Sequence, residues 1–426
     1  MRKTFLLLLV PVLAAQAEVH PMTLKEALAR ALKLNPDLVL SRLDLVKAQL
    51  GVKISRDPFV PKVYGGSGAA WTTGYPTSIN GSPPSIFEIK TDMQLFNRQK
   101  SYDIAQAKEN SRGAEVDTAR QQDDAAYRTA ALYLEARQTM QSLEYARKQI
   151  ASLEAVRDNV SARVAEGREL EVQNKRAALN LARANQHIEA LESDLEVVER
   201  NLAVVLGFPG DDRVRAAADD GPMLNEMPET EEAAAEQAMG NSKELKVLAS
   251  RMQAKSLSIK GYQAARLPQV GLVAQYNMLA KYNFQDFFPK FQRNNAQLGA
   301  YFVIPLLVGG APKAYIQQDE AELAKLKVQM DQVRNRITLD SRKHFLQMRR
   351  VQTARNVARL DLDVAREQLS VALAQFDEGR ASIADVEQLR VQENDKWLAY
   401  YETQHQLERA KLDLLHQTGG LTALLQ

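Results

Sequence analysis

The sequence contains no cysteine. That excludes disulfides, thiolate metal sites and cysteine nucleophiles. It also excludes a lipid carried on an N-terminal cysteine, so membrane attachment has to come from the polypeptide itself. Past the N-terminus no stretch approaches the ~18 consecutive apolar residues of a membrane-spanning helix. Net charge is nearly absent as well. It is +2 for the whole chain and falls to zero without Arg2 and Lys3, which leaves no basic footprint for nucleic acid. The histidines His20, His187, His344, His405 and His416 are scattered without metal-ligand spacing. No Gly-x-Ser-x-Gly elbow and no phosphate-cradling glycine loop occurs. The chain reads as neither an enzyme nor a cofactor protein.

What is present begins with an export signal. Arg2 and Lys3 precede a short apolar core over residues 4–13, and Ala15-Gln16-Ala17 fits a small-x-small cleavage site. Residues 1–17 are expected to be removed before Glu18, because the apolar run is too short to anchor the chain across a bilayer. Export leaves a soluble, a peripheral or a transmembrane β-barrel protein, and the last gives only a weak alternating signal.

The chain also repeats itself. Glu166-Gly167-Arg168 recurs as Glu378-Gly379-Arg380 at an offset of 212, which also carries Gly207 onto Gly419 and Tyr133-Leu134 onto Phe345-Leu346. Upstream the offset is 207, taking Leu38 to Leu245, Lys53 to Lys260, Pro61 to Pro268 and Val63 to Val270. The expected layout is a first repeat over 18–207, with a strand hairpin at 62–96 and a helical hairpin at 98–206. A linker at 208–230 follows, marked by Pro209-Gly210, Asp219-Asp220-Gly221, Pro222 and Pro228. The second repeat covers 231–426, with a strand hairpin at 269–307 and a helical hairpin at 311–418.

Three of the four strand segments alternate clearly. In 86–95, Phe87, Ile89, Thr91, Met93 and Leu95 oppose Glu88, Lys90, Asp92 and Gln94. In 269–278, Val270, Leu272, Ala274, Tyr276 and Met278 form one face, and in 297–306 Leu298, Ala300, Phe302, Ile304 and Leu306 do the same. Residues 62–74 are glycine-rich, with Tyr64 and Trp71 suited to an interfacial belt. Each strand is about ten residues, the length that crosses a bilayer when tilted. A small soluble sheet with one face on a core has the same pattern. Four strands cannot enclose a lumen, and open edges are not tolerated in lipid. If the strands cross a membrane, two chains would give eight strands and a filled interior, and three would give twelve and a channel.

Between the strands lie very long helices. Residues 98–165 contain no proline and a single glycine, Gly113. As one helix they would run about 100 Å at 1.5 Å per residue. Residues 312–377 are nearly as long. Leu143, Ala146, Ile150, Leu153, Val160 and Val164 recur at coiled-coil spacing. Gly167 and Gly379 supply left-handed caps at which the chain turns back.

Together these features resemble the TolC family of outer-membrane efflux proteins over essentially the whole mature chain. Thr23-Leu24-Lys25-Glu26-Ala27-Leu28 with Asn35-Pro36 is similar to the family's opening. Ile304-Pro305-Leu306-Leu307 with Gly309-Gly310 is similar to its strand-to-helix junction. Residues 376–386, running Phe-Asp-Glu-Gly-Arg-Ala-Ser-Ile-Ala-Asp-Val, are similar to its second hairpin tip. The resemblance implies a homotrimer whose twelve strands form one outer-membrane barrel set in lipid, with helices forming a periplasmic tunnel. It implies docking of the tips, Glu166, Gly167, Arg168, Glu378, Gly379 and Arg380, onto a periplasmic adaptor (membrane fusion) protein that links to an inner-membrane transporter. Conduction would be passive, in efflux or type I secretion.

The resemblance also implies a periplasmic gate near the tips. Asp385 matches the family's acid, and Gln388 sits where a second acid can occur. Gln173 stands in the first tip where the repeat places Asp385, and Phe376 stands where a gate-locking tyrosine can occur but has no hydroxyl. One acid per subunit would give a ring that favours cations. Copy one, at Met93-Gln94-Leu95-Phe96-Asn97-Arg98, lacks the proline and glycine pair. A loop carrying Tyr282, Phe284, Phe287, Phe288 and Phe291 is expected outside the cell, as a lid, a leaflet anchor or simple aromatic packing. The competing reading is a periplasmic coiled-coil scaffold or adaptor without a barrel.

Overall fold

The computed structural model of the chain describes residues 18–68, 85–217, 227–279, 292–381 and 383–421. The leader and the aromatics Trp71, Tyr282, Phe284, Phe287, Phe288 and Phe291 lie outside the described residues. Among the described residues the fold is mainly helical, with two small sheets. Two compact units divide it. One holds residues up to Leu40, Arg120–Ser242 and Asn335 onward, and the other holds Ser41–Ala119 and Lys243–Arg334.

The first unit opens on β1 (Val19–Met22) and α1 (Leu24–Leu34). Thr23 caps α1 in a reciprocal box. Its hydroxyl accepts from the Glu26 N–H at 3.3 Å, and its own N–H donates to the Glu26 carboxylate at 2.9 Å. Those hydrogen bonds hold the Glu26 carboxyl below its ordinary range. Asn35 then starts α2 (Pro36–Arg56), its side-chain oxygen accepting from the Leu38 N–H at 3.1 Å. The long α3 (Arg98–Ala165) runs unbroken, and α4 (Glu171–Val205) returns from it. A short β4 (Arg213–Ala216) pairs in parallel with β1. The second copy supplies α5 (Glu231–Asn241), α6 (Lys243–Gln263), α7 (Ala311–Asp377) and α8 (Ile383–Thr418).

Alanines let the helices of this unit close on one another. Ala27, Ala31, Ala126, Ala130 and Ala203 are buried with Leu202, Leu206 and Leu412, and Tyr133 sits among them, donating to the Ala217 carbonyl at 3.0 Å. A smaller cluster gathers Ala234, Phe345, Met348, Ala410 and Leu414. Tyr133 and Phe345 are the pair that the 212 offset equates. Glu199 of α4 is fully buried and takes Arg213 at 2.7 Å and Arg215 at 3.1 Å, so β4 is tied to α4 by charge.

The second unit carries an antiparallel sheet in the order β2 (Lys62–Gly66), β3 (Ser85–Asn97), β5 (Gln269–Leu279), β6 (Asn294–Val303). Helical segments beside it are joined by Lys255–Asp319 at 2.8 Å, by Ser41–Thr118 at 3.0 Å and by stacking of Tyr262 on Tyr315.

Three details depart from the sequence reading. The last strand stops at Val303, short of Leu306, since Pro305 has no N–H for a ladder. A bulge between Gln94 and Phe96 leaves Leu95 as the extra residue, and Phe96 rather than Leu95 faces Val270. Four residues of the segment that composition marks as connecting, Arg213–Ala216, form strand β4.

Candidate functional site

The register of the larger sheet sorts its side chains into two faces. Val63, Thr91, Ala274 and Leu298 stand in one row across all four strands, and Met93, Leu272 and Ala300 in another. The opposite face carries Lys90 and Gln275 against Gln297, and Glu88 against Asn277. Gln275 donates to Glu88 at 2.9 Å and to Asn277 at 3.1 Å. Tyr301 lies over Gly271, a position where any side chain would collide with its ring. Asn277, on the polar face, is only 1% exposed, whereas Leu298 and Phe302 on the apolar face are 78% and 62% exposed. A sheet in water has the reverse arrangement, so this one is inside out for water.

The long helices form a row within the first unit. Arg147 of α3 meets Glu192 of α4 at 2.6 Å. From α3 to α8 run Tyr127–Asp413 at 2.7 Å, Arg137–Glu408 at 2.6 Å and Tyr145–Asn394 at 2.9 Å. Lys396 and Glu393 of α8 reach Asp361 and Arg366 of α7 at 3.0 and 3.6 Å. The order is therefore α4, α3, α8, α7, with each neighbour antiparallel to the last. The two outer helices each carry a second apolar stripe. On α4, Val172, Leu179, Val197 and Val204 are exposed and fall within about 40° of one another at 3.6 residues per turn. They lie opposite the buried Leu195, Val198 and Leu202. On α7, Leu339, Leu346, Val357, Leu360, Val364 and Val371 are likewise exposed, away from the buried Phe345, Met348 and Val351.

Between α3 and α8 lies a cavity of about 460 Å³ lined by Arg137, Tyr145, Tyr401, His405 and Glu408 among others. Burial pushes the Tyr145 hydroxyl up to about 12, with the Glu393 and Tyr401 charges adding to it. Burial pushes His405 down to about 4, helped by the Arg409 and Arg137 cations, so the imidazole is neutral. Burial would raise Asp124, but the hydrogen bond and charge of His416 outweigh it and lower the carboxyl.

Both hairpin turns have one geometry. After α3, Gly167 takes φ 71°, its N–H donates to the Val164 carbonyl, and the Arg168 N–H closes onto Arg163 at 2.9 Å. After α7, Gly379 takes φ 74°, with Arg380 closing onto Gln375 at 2.8 Å. In each tip the arginine folds back on the glutamate of the same motif, Arg168–Glu166 at 3.1 Å and Arg380–Glu378 at 3.2 Å, and both pairs are exposed. Asp385 occupies the first turn of α8, where the helix dipole favours an acid. Asp385 and Gln388 are exposed and flank the buried Val386. Phe376, at the end of α7, is partly exposed and gives its carbonyl to the Gly379 N–H. Gln173 belongs to the other tip, half-buried, its N–H on the Leu170 carbonyl.

Sequence reasoning missed the second stripes of α4 and α7. Their spacings of 7 and 11 residues could have revealed them. It also missed two part-buried joints. Asn35 donates to the Val205 carbonyl and Asn241 to the Thr418 carbonyl, each at 2.8 Å, pinning the ends of α4 and α8. Among the described residues no group of three or more His, Asp or Glu side chains could hold a metal, and no helix is long and apolar enough to cross a membrane.

Comparison with known proteins gives a consistent picture. The sequence profile described as outer membrane efflux protein matches residues 27–208 and again 234–420. Outer membrane efflux protein BepC of Brucella suis biovar 1 (strain 1330) is 24% identical over 428 residues, covering 97% of this chain and 88% of that protein. A membrane protein from Pseudomonas aeruginosa superposes with a TM-score of 0.77 at 15% identity, over 93% of each chain. The outer membrane protein VceC from Vibrio cholerae superposes at 0.75 with 16% identity, over 93% of this chain and 96% of that one. The open-state MtrE outer membrane channel of Neisseria gonorrhoeae gives 0.73 at 14% identity, over 93% and 88%. At these identities the solved structures establish the fold.

Proposed function

Since this chain belongs to the outer membrane efflux protein family, we propose that it is the outer-membrane channel of a tripartite efflux or type I secretion assembly, built from three copies. The observation that carries this reading is that both layers are unfinished at their ends. Among the described residues the sheet stops at β2 and β6 with unpaired edges, and the helix row stops at α4 and α7 with exposed apolar stripes. A neighbouring copy supplies what each lacks. Its β2 continues the antiparallel alternation beyond β6, and its α4 continues it beyond α7. Three copies give twelve strands, enough for a lumen, whereas two give about eight and a filled interior. The apolar face of the sheet then meets lipid, and the polar face, with Glu88, Lys90, Gln275 and Asn277, meets water in the pore.

Transport needs no chemistry from the chain, so conduction is passive, and a periplasmic adaptor couples it to an inner-membrane transporter. The exposed turns at Glu166-Gly167-Arg168 and Glu378-Gly379-Arg380 are the docking points. Asp385, exposed at the start of α8, contributes one acid per copy to a periplasmic constriction bordered by Phe376, Gln388 and Gln173. Such a ring favours cations.

Planar-bilayer recording tests both levels. The purified protein is expected to open discrete channels, and Asp385→Ala to raise their conductance or weaken block by divalent cations. A protein that stays soluble without detergent and forms no channel would favour the periplasmic scaffold reading instead. Unchanged conductance in Asp385→Ala would remove that residue from the gate while leaving the channel standing.

A further inference from the structure

Asp212 stands directly before β4, and its side chain is 14% exposed. Its Oδ1 accepts from the Glu18 backbone nitrogen at 3.3 Å, and its Oδ2 lies 3.3 Å from His20 Nε2. The neighbouring Arg213 is committed to Glu199 at 2.7 Å and leans on Glu196 at 3.9 Å. His20 stacks on Phe208 at 4.4 Å, and the Arg30 guanidinium lies over the Phe208 ring at 3.5 Å from its centre. The contacts of Asp212 are thus an amide and the ring of His20, which is a cation only when protonated. A carboxylate drawn this far out of water ordinarily has a cation for a partner.

The nitrogen 3.3 Å from Oδ1 is the one that leader removal after Ala17 would expose. Hydrolysis of the Ala17–Glu18 bond places the hydroxyl of water on the Ala17 carbonyl carbon and its proton on the Glu18 nitrogen. The amine takes a further proton from solvent, and the new acid releases one. We propose that Asp212 is the binding site for the α-ammonium of the mature chain, so that leader cleavage before Glu18 completes the ion pair that seats β1 on β4. The inference rests on the cleavage position and is independent of the channel reading.

The backbone is already set for this. The Arg213 N–H donates to the Glu18 carbonyl at 2.9 Å, and the four residues from Val19 to Met22 run in parallel register with Arg213 to Ala216. The strand pairing therefore holds the Glu18 carbonyl in place one residue's backbone from the carboxylate, which keeps the new ammonium close to it. In the precursor the same atom is a neutral amide, and the hydrogen bond is the weaker, uncharged-donor kind.

The titratable groups facing the pair are His20 of β1, Arg30 of α1 over Phe208, and Arg213, which is held by α4. The ammonium is expected to titrate above the ordinary α-amino range of about 7.7–8.0. Its contribution to stability is then fully present below that range and lost as pH rises through the higher folded-state value. This window lies above the one in which imidazoles ordinarily charge.

The test uses full-length mature protein purified from membranes, with its N-terminus established by mass spectrometry. Thermal unfolding is measured for the wild type, for Asp212→Asn, for an insertion of one serine between Ala17 and Glu18, and for the combination. Each single change is expected to lower the Tm by about 2 °C, and the combination to lower it no further. The gap between wild type and Asp212→Asn is expected to shrink from pH 8 to pH 10. Additive losses, a gap that stays constant over that range, or a mature terminus other than Glu18 would overturn the proposal.

Discussion

The hairpin tips and the corners where α4 and α8 end use the same backbone device, yet they are held in opposite ways. All four positions carry a left-handed glycine with φ between 71° and 75°: Gly167, Gly379, Gly207 and Gly419. At the corners that glycine is packed in. A Cβ on Gly207 would meet the Leu34 carbonyl oxygen at 2.5 Å, and one on Gly419 would meet the Asn241 Cβ at 2.8 Å. At the tips nothing lies within 4 Å of where a Cβ would be. The corner needs glycine twice, for its dihedral and for its lack of a side chain. The tip needs it once. The corners close against the core beside Leu206, whereas the tips are exposed turns.

The largest effect separating the two is expected from Gly207→Ala. It combines left-handed strain with collision against backbone and should cost about 3 kcal/mol or more. Denaturant unfolding or thermal dissociation of the assembled protein would read it, and a loss near 1 kcal/mol would mean that the corner relaxes. Next comes Asn35→Ala. It removes the cap of α2 and the hydrogen bond to the Val205 carbonyl, leaving buried groups unsatisfied, for about 2 kcal/mol. Asn241→Ala should follow at the second corner through the Thr418 carbonyl. A neutral result at either would show that the joint is not structural. Gly167→Ala and Gly379→Ala should cost only the strain, about 1 kcal/mol each.

Smallest in stability is charge reversal at the tips. Arg168→Glu and Arg380→Glu each break an exposed ion pair worth less than about 1 kcal/mol. Their effect should appear as lost crosslinking to the adaptor, with unfolding unchanged. Intact crosslinking would remove these residues from the docking surface.

The same contrast explains what could be read from the sequence. The tips were legible because a glycine after a long helix followed by a charged residue is a local signal. The alternation of β3, β5 and β6 was legible for the same reason. The corners were not. Gly207 and Gly419 could be seen as repeated residues, but their partners Leu34 and Asn241 lie more than 170 positions away. Strand β4 was hidden because four residues carry too little alternation, and the neighbouring Pro209-Gly210 and Asp211-Asp212 read as a connection. The bulge at Leu95 depends on cross-strand register, which alternation alone cannot reveal. The second stripes on α4 and α7 were masked because each helix already carries a core stripe, and two opposed stripes cancel in amphipathic periodicity.

The proposed gate residues sit between these cases. Asp385, Phe376 and Gln173 are placed by the turns, but a constriction needs copies of the chain that no single sequence displays. The open sheet edges at β2 and β6 and the two helical stripes are what a neighbouring copy would cover. Native mass spectrometry of the detergent-extracted protein tests this central claim most directly. The account predicts one species of three copies that separates only on heating, and a stable monomer that needs no detergent would contradict it.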